Sequence, residues 1–574
     1  MHNKKLFLRV NTIVLSTFCL LLAGCNKQEP VSSKEEQPKS ESEIPSSNVI
    51  PPEETYNIVR PSFTPDYDTY EATQTPFGVN MTYYSDIYSR GFAWFTSAVN
   101  AEGEADESAK ATELYLVKSD KGENADFSNA QLIEGTSLEI EYNKDGNITS
   151  IDNSIPKTKG SSNDVTLNLY SHKVHVENLE KGKAYSYKIG SEAGYTYGAF
   201  IVEKEQAKSI TAVHMSDAQT KDLKQTNVWR NTFTNAVNKA GKDLDVALYN
   251  GDQFDQNNSS GNNKSPSRVL RYAKAVDVIQ DYKFDVPYMA SSGNHEPSVP
   301  YINFLTGDID YAGYADDGCY YSFDYQYAHF AVLNTNDVSD AQIQWLTDDL
   351  DNASNAKWKV VMLHISPYST GDHTNKSENQ NIVKKLTPVF SAKHVDLVLQ
   401  AHDHTYNKTL PYKWDAAGYT TSWNNDEVVN LEPETEVKDG VTYDKNPEGT
   451  YYVTTGAAGH RCGSEEEDGR WAEVVYENGE AKGLDSSNTF LNNTYKIELG
   501  KLTQTNSYEP YSHTVSGKTY ASAQEYNAGD LATGNVNAQM FGVLNLTVTT
   551  MSYHVYTVNG KTVKLFDTLD VLKA

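Results

Sequence analysis

Five short apolar runs in this sequence each stop at a residue able to bind a metal ion or move a proton. Ile210 to Met215 leads to Ser216-Asp217-Ala218-Gln219, and Val246 to Tyr249 leads to Gly251-Asp252. Val286 to Ala290 leads to Gly293-Asn294-His295-Glu296, Val360 to Leu363 leads to His364, and Leu397 to Leu399 leads to Ala401-His402-Asp403-His404. Carboxylates, a carboxamide and imidazoles are the hard oxygen and borderline nitrogen donors that suit Zn, Fe or Mn. A single ending of this kind commonly caps a turn, and Asn250-Gly251-Asp252 alone is an ordinary turn signal. Five in succession point to a two-metal centre.

Such donors need elements that deliver them to one place. In open α/β sheets functional groups collect just past the carboxyl ends of strands. From Ile210 onward the pattern alternates strand with helix. Helices are expected over Gln225–Ala240 and Ser267–Gln280, and a third starts at a Ser339/Gln342 capping box, with Ile343, Leu346 and Leu350 at helical spacing. This alternation predicts βαβ units and a sheet covered by helices. Before it, Tyr56 to Val202 carries short strand-like runs separated by turn residues, which predict a β-sandwich of about one hundred residues or slightly more. His172 and His175 are expected there as surface strand residues. His214 is expected as a packed core histidine, and Asp403 as a neighbour of the ligands or a solvated acid. After Gly459 a polar stretch, 464–536, is expected as a loose insertion. The last strands, with an Asn559-Gly560 turn, should return to the sheet.

The order and spacing of the five endings resemble the calcineurin-like metallophosphoesterases, with Gly-Asn-His-Glu and His-x-His as the specific elements. Leu179, a turn, Tyr185-x-Tyr187 and a closing Phe200 strand resemble a fibronectin type III-like domain. This narrows the resemblance to the purple acid phosphatase-like branch, over about residues 56–460 plus the last strands. The implied fold is an N-terminal all-β sandwich followed by an α/β metallophosphoesterase domain of four layers, αββα.

Carried across residue by residue, the resemblance implies that Asp217, Asp252 and His404 hold one ion. Asp252 bridges to a second ion, which Asn294, His364 and His402 complete. The implied cofactors are two divalent or mixed-valence ions of Fe, Zn or Mn, roughly 3.5–4 Å apart, which activate a shared water for in-line attack on phosphorus. His295 is implied to protonate the leaving oxygen or hold the phosphate, and His373 to contact substrate, the alternative being an exposed loop residue; His460, after Gly456-Ala457-Ala458-Gly459, is expected to line the cleft. Two positions depart from the family. Asp255 stands where the acidic branch has an iron-binding Tyr, and Gln219 where other branches have His. Gln219, Asp255 or water fills that role, and the phenolate absorption band is expected to be missing.

Composition sets the partners. The 574 residues carry 49 Lys+Arg against 77 Asp+Glu, a net charge of -28. That excludes nucleic-acid polymers, which need clustered cations, yet allows a small phosphate ester held by metal ions. Lys4, Lys5 and Arg9 precede an apolar run ending Leu20-Leu21-Leu22-Ala23-Gly24-Cys25, which reads as a secretory signal. It resembles a bacterial lipobox, implying lipidation of Cys25 and an extracytoplasmic, membrane-anchored protein. Residues 26–54, rich in Pro, Ser, Glu and Lys, should be a flexible tether. Cys319 and Cys462 can then pair as a disulfide.

The expected organisation is 1–24 signal, 25–55 tether, 56–204 sandwich and 205–574 catalytic domain, with insertions near 411–448 and 464–536. The expected activity is phosphomonoester hydrolysis. A phosphodiesterase on nucleotide or lipid-derived substrates, and a surface binding protein with a degenerate metal site, remain as alternatives.

Overall fold

The computed structural model describes residues 56, 58, 73–98, 100, 106–142, 148–151, 169–203, 209–220, 223–253, 276–277, 279, 285–296, 307–315, 318–368, 377–404, 406–414, 428–430, 433–459, 475–477, 480–483, 493–498, 501–508, 513–515, 518–520, 539–559 and 562–573. The leader, tether and Cys25 lie outside them, as do Asp255, His373, His460 and Cys462. Tyr56–Ala574 form one compact unit. Among the described residues no helix is long and apolar enough to cross a membrane.

The N-terminal region is β-rich. It comprises β1 (Phe77–Thr82), β2 (Arg90–Ser97), β3 (Glu113–Lys118), β4 (Gln131–Glu134), β5 (Thr136–Tyr142), β6 (Ile148–Ile151), β7 (Leu169–Val176), β8 (Ala184–Ser191) and β9 (Gly194–Ile201). These form two sheets, ordered β1-β2-β7-β5-β6 and β4-β3-β8-β9. Strand alternation in β2, and a register irregularity between Phe77 and Asn80 in β1, let the first sheet serve two cores. Val79, Met81, Phe92 and Trp94 pack with Leu114, Tyr187 and Phe200 between the sheets, whereas Phe77 and Phe95 point the other way into the main core.

His172 is no surface residue. It is fully buried, stacked on Trp94 at 5.2 Å and bonded to Thr96 Oγ1 and Thr112 Oγ1, each at 2.7 Å. Burial pushes it down to about 3, so it stays neutral. His175 pairs with Asp308 at 2.8 Å.

The α/β part contains β10 (Ile210–Met215), α1 (Leu223–Ala240), β11 (Val246–Asn250), β12 (Tyr288–Ser291), β13 (Gly313–Ala315), β14 (Gly318–Tyr325), β15 (Ala328–Val332), α2 (Asp340–Asn352), β16 (Trp358–Ile365), α3 (Ser377–Ala392), β17 (Leu397–Ala401), β18 (Tyr406–Lys408), β19 (Glu434–Lys438), β20 (Val441–Lys445), β21 (Tyr451–Thr455), β22 (Gln539–Leu546), β23 (Thr550–Asn559) and β24 (Thr562–Leu572). One sheet runs β12-β11-β10-β22-β23-β24-β20-β19, the other β13-β14-β15-β16-β17-β21-β18. Strands β10, β11 and β12 are mutually parallel, as are β15, β16, β17 and β21. The last strands do join the first sheet, through antiparallel pairing of β22 with β10.

Alternating residues of β10 and β11 divide between two cores. Val213, Met215, Ala247 and Tyr249 meet Trp229 and Phe233 of α1. Ala212, Val246 and Leu248 share a core with Phe330, Val360, Met362, Leu397 and Leu399 of the second sheet. Each fully buried Val, Leu, Met or Phe among them contributes about 1.5–3 kcal/mol, which helps hold the two sheets together beneath the strand ends.

Several expectations change. Of the helix expected over 267–280, only Val276, Asp277 and Ile279 are described, and the first two are helical. Ser339 caps α2 by accepting from Gln342 N at 3.2 Å. The Gln342 side chain does not return to the cap; it is buried and bonds Asn334 N and O, each at 2.8 Å. Helix α3 was not expected, since Pro388 sits inside it. The stretch expected to be loose includes a four-stranded antiparallel sheet, built from Val475–Glu477, Glu480–Gly483, Asn493–Glu498 and Lys501–Tyr508. Polar strands with weak alternation explain why the sequence hid it. Cys319, inside β14, is a buried free thiol among the described residues, its side chain packed into the main core; the expected bridge to Cys462 falls outside the described residues.

Candidate metal centre

The strand ends converge because β10, β11 and β12 in one sheet, and β16 and β17 in the other, present their carboxyl ends toward the same place. The turns that follow use unusual backbone. Asp217, Asp252 and His402 have φ of +54°, +55° and +74°, a region that disfavours non-glycine residues and costs of order 1–3 kcal/mol each. The surrounding bonds enforce it. Asp217 N donates to Gly251 O at 3.1 Å, and Gln219 N to Asp252 O at 2.9 Å, knitting the first two turns together. Gly293 is required where it stands: a Cβ there would lie 2.1 Å from Asp252 Oδ1 and 2.4 Å from Asp252 N.

Asp252, His364 and His402 offer ligand atoms that all lie within 4.8 Å of one another, and all three are buried. The His364 and His402 rings meet edge-on at 5.1 Å. His364 Nε2 is 2.9 Å from Asn294 Oδ1 and 3.4 Å from Asp252 Oδ2. Its other nitrogen, Nδ1, donates to Asn250 O at 2.7 Å, so Nε2 is the atom that faces the cluster. Beside this group, His404 Nε2 lies 3.4 Å from Asp217 Oδ1, and Asp217 Oδ2 accepts from His402 N at 3.3 Å. The six residues expected as ligands thus form two adjoining sets, Asp252/Asn294/His364/His402 and Asp217/His404.

The donor set fits cations. Asp217 Oδ1 is buried without a hydrogen bond, an arrangement that costs free energy unless something positive compensates it. Burial alone would push the Asp252 carboxyl up, but His295, His364 and His402 reverse this and hold it well below its ordinary range. Burial likewise would push His364 down, yet the Asp252 carboxylate raises it to about 9. A carboxylate hemmed in by several imidazoles is a site where a metal ion would take the place of protons.

Glu296 ties the site from below. Its Oε2 accepts from Asp252 N at 2.9 Å and Gly293 N at 2.5 Å, and its Oε1 from Gln253 N at 2.9 Å. Burial and the Asp252 charge push it up to about 7. His295 N donates to Asp252 Oδ1 at 2.9 Å, and its ring Nε2 stands 3.7 Å from Asp252 Oδ2. Gln219 points Nε2 at Asp252 Oδ2, 3.0 Å away, and lies 3.4 Å from His295 Nε2. Asp403 is buried, not solvated. His214, also buried, bonds Tyr553 OH at 2.6 Å and Thr455 Oγ1 at 3.1 Å, consistent with a core histidine.

Two neighbours escaped the sequence reading. Glu378 places Oε1 3.7 Å from His402 Nε2, and it was missed because α3 was missed. Asn336 donates Nδ2 to Gly293 O at 2.9 Å, from a loop that carries no sequence signal. Gly459 also acquires a reason: a Cβ there would fall 1.9 Å from Ala218 O, so the 456–459 turn closes over the Asp217 loop.

Comparison with known proteins agrees with this geometry. Residues 210–406 match the model of the calcineurin-like phosphoesterase family. Mouse acid phosphatase type 7 is 25% identical over 320 residues, covering 51% of this chain and 64% of that protein. Its human counterpart is 26% identical over 326 residues, with the same coverage; the chain therefore spans 64% of the length of each of these relatives. Purple acid phosphatase 18 of Arabidopsis thaliana is 28% identical over 146 residues, 23% of this chain and 33% of that one. In fold, the chain is similar to the purple acid phosphatase from yellow lupin seeds, with a TM-score of 0.53 and 14% identity over 87% of this chain and 74% of the other. The strand-end donors, gathered where two sheets meet, thus lie in a calcineurin-like metallophosphoesterase domain whose homologues include purple acid phosphatases.

Proposed function

We propose that this chain is a metal-dependent phosphoric ester hydrolase acting on small phosphomonoesters. The observation that carries the reading is the buried Asp252/His364/His402 cluster, within 4.8 Å, with Asn294 on one side and Asp217/His404 on the other. In this reading Asp217, Asp252 and His404 would hold one ion, and Asn294, His364 and His402, with Asp252, would hold a second, of Fe, Zn or Mn. Bound divalent ions supply Lewis-acid activation of water and neutralisation of phosphoryl charge.

The chain's own residues do the rest. Asp252, fixed by Glu296 and by His295 N, sets the register of the donors. Gln219 donates its amide Nε2 to Asp252 at 3.0 Å, and its carbonyl oxygen is the atom that would serve as a ligand. His295 presents its ring at the edge of the cluster, where it holds the phosphate or returns a proton to the leaving oxygen. The scaffold in this reading is the four-layer αββα arrangement preceded by a fibronectin type III-like domain, on a lipid anchor at Cys25 outside the cytoplasm.

Purified protein stripped with chelator and reloaded singly with Zn, Mn or Fe should hydrolyse p-nitrophenyl phosphate faster than bis(p-nitrophenyl) phosphate, and Asp252→Asn should abolish both. A reversed preference would favour the diesterase reading. No turnover with any metal would leave a binding protein.

A further inference from the structure

We infer that Asn250, two residues before the shared aspartate, is a positioning residue that sets the distance between the two sheets at the metal centre. The inference rests on the two-ion reading above and deepens it. Asn250 is the last residue of β11 and is fully buried. Its side-chain Nδ2 crosses from the first sheet to the second, donating to Leu363 O at 3.0 Å and Leu399 O at 2.6 Å. Leu363 directly precedes His364, and Leu399 lies three residues before His402. Its own carbonyl accepts from His364 Nδ1 at 2.7 Å, which fixes the ring and leaves Nε2 toward the cluster. One residue thereby holds Asp252 by sequence, His364 by a direct bond, and the β17 strand that delivers His402.

The sheet ladder is irregular where these bonds form. The pairing of β16 with β17 runs Met362↔Leu399 and then Ile365↔Ala401, so β16 carries an extra residue between them. Such a bulge leaves ladder groups unpaired and bends the strand. The Asn250 amide occupies that break, bonding a carbonyl from each strand. A side chain with two hydrogens on one nitrogen is what the position needs. Leu lacks the donors, and Asp presents a charge to two carbonyl oxygens.

The effect should be unequal between the two ions. Through Leu363 O the Asn250 amide is one residue from His364, and through Leu399 O it is three residues from His402 but five from His404; neither side-chain bond goes to the turn of Asp217, and the shared Asp252 is carried by the strand itself. Outer partners that orient ligands are typically worth about 10–100-fold in metal affinity.

The test compares stepwise zinc affinities of the chelator-stripped full chain by calorimetry, with metal content after gel filtration, in the parent, Asn250→Leu and Asn250→Asp. Leu350→Ala, in the core of α2, serves as a destabilised control. The expected result is that one zinc equivalent weakens by about 10–100-fold in both Asn250 variants while the other stays within about threefold. The control should lower the unfolding midpoint without changing either affinity.

Equal weakening of both equivalents, or none in folded variants, overturns the inference. So does failure of both variants to fold at saturating zinc, which would make Asn250 a framework residue. Should the parent itself bind a single equivalent, the two-ion reading fails. The inference is then decided by whether Asn250→Leu weakens that one.

Discussion

Glu296 offers the sharpest quantitative test of how the centre is built. Replacing it with Gln keeps the shape and removes the charge. In the parent, two oxygens accept from three backbone N–H groups: Asp252 and Gly293 on Oε2, Gln253 on Oε1. A glutamine has one acceptor oxygen. If that oxygen takes the Oε2 position, the amide nitrogen faces the Gln253 N–H, donor against donor, in a site with no exposed surface. One charge-assisted bond, worth about 1.5–3 kcal/mol, is lost, and a buried N–H is left unsatisfied at about 1–3 kcal/mol. Partial relief by movement brings the expected loss to about 2–4 kcal/mol.

That strain falls on Asp252, so metal affinity should fall with stability. The assay, at about pH 9 where Glu296 is ionised despite being raised to about 7, is urea unfolding of chelator-treated protein, to read the first effect, and zinc titration, to read the second. Glu296→Gln should lower the unfolding free energy by about 3 kcal/mol and weaken zinc by at least about tenfold. Stability within about 0.5 kcal/mol of the parent, with unchanged zinc affinity, would refute the view that Glu296 holds this turn as an ionised acceptor.

Other outcomes follow from the same geometry. Gly293→Ala should abolish tight metal binding, because its Cβ would stand 2.1 Å from Asp252 Oδ1, whereas Gly122→Ala, with nothing within 4 Å, should cost only about 1 kcal/mol from its left-handed backbone. Metal analysis and thermal melts of the two variants give the comparison. At pH 7, zinc binding should release about one proton, since Asp252 holds His364 protonated with its affinity raised to about 9; calorimetry in buffers of different ionisation enthalpy measures it.

His329 lies between Asp324 at 2.8 Å and Asp349 at 2.9 Å. Burial would push it down, but the two carboxylates raise it to about 9. Its folded value exceeds its unfolded one. The stabilisation is therefore fully present below about pH 6.5 and lost as pH rises through about 9. With Asp324 largely exposed, about 2 kcal/mol is expected. Over that range the urea midpoint of the parent should fall further than that of His329→Gln, in which only His364 still loses its raised affinity.

The sequence by itself determined the donors and their order. A donor at the end of a strand is a local fact: an apolar run with a carboxylate, carboxamide or imidazole at or just past its end, after a glycine at Asp252 and Asn294. Five such endings marked a metal centre, and their resemblance to the metallophosphoesterases picked out Asp217, Asp252, Asn294, His364, His402 and His404, which the structure brings together. The capping serine at Ser339 was legible for the same reason, and so was the core placement of His214.

What only the tertiary structure decided is how those ends are spaced. Nothing in Asn250, Asn336 or Glu378 marks them in one dimension, because their partners lie in strands and loops far away in sequence. His172 was misjudged on the same ground: a strand residue's exposure depends on what covers its face, here Trp94 and two threonines from neighbouring segments. Helix α3 hid behind Pro388, and the sheet over residues 475–508 hid in polar, weakly alternating strands. Donor identity is written locally, whereas donor distance belongs to the contact between two sheets, where a buried amide completes a bulged ladder that neither strand completes alone.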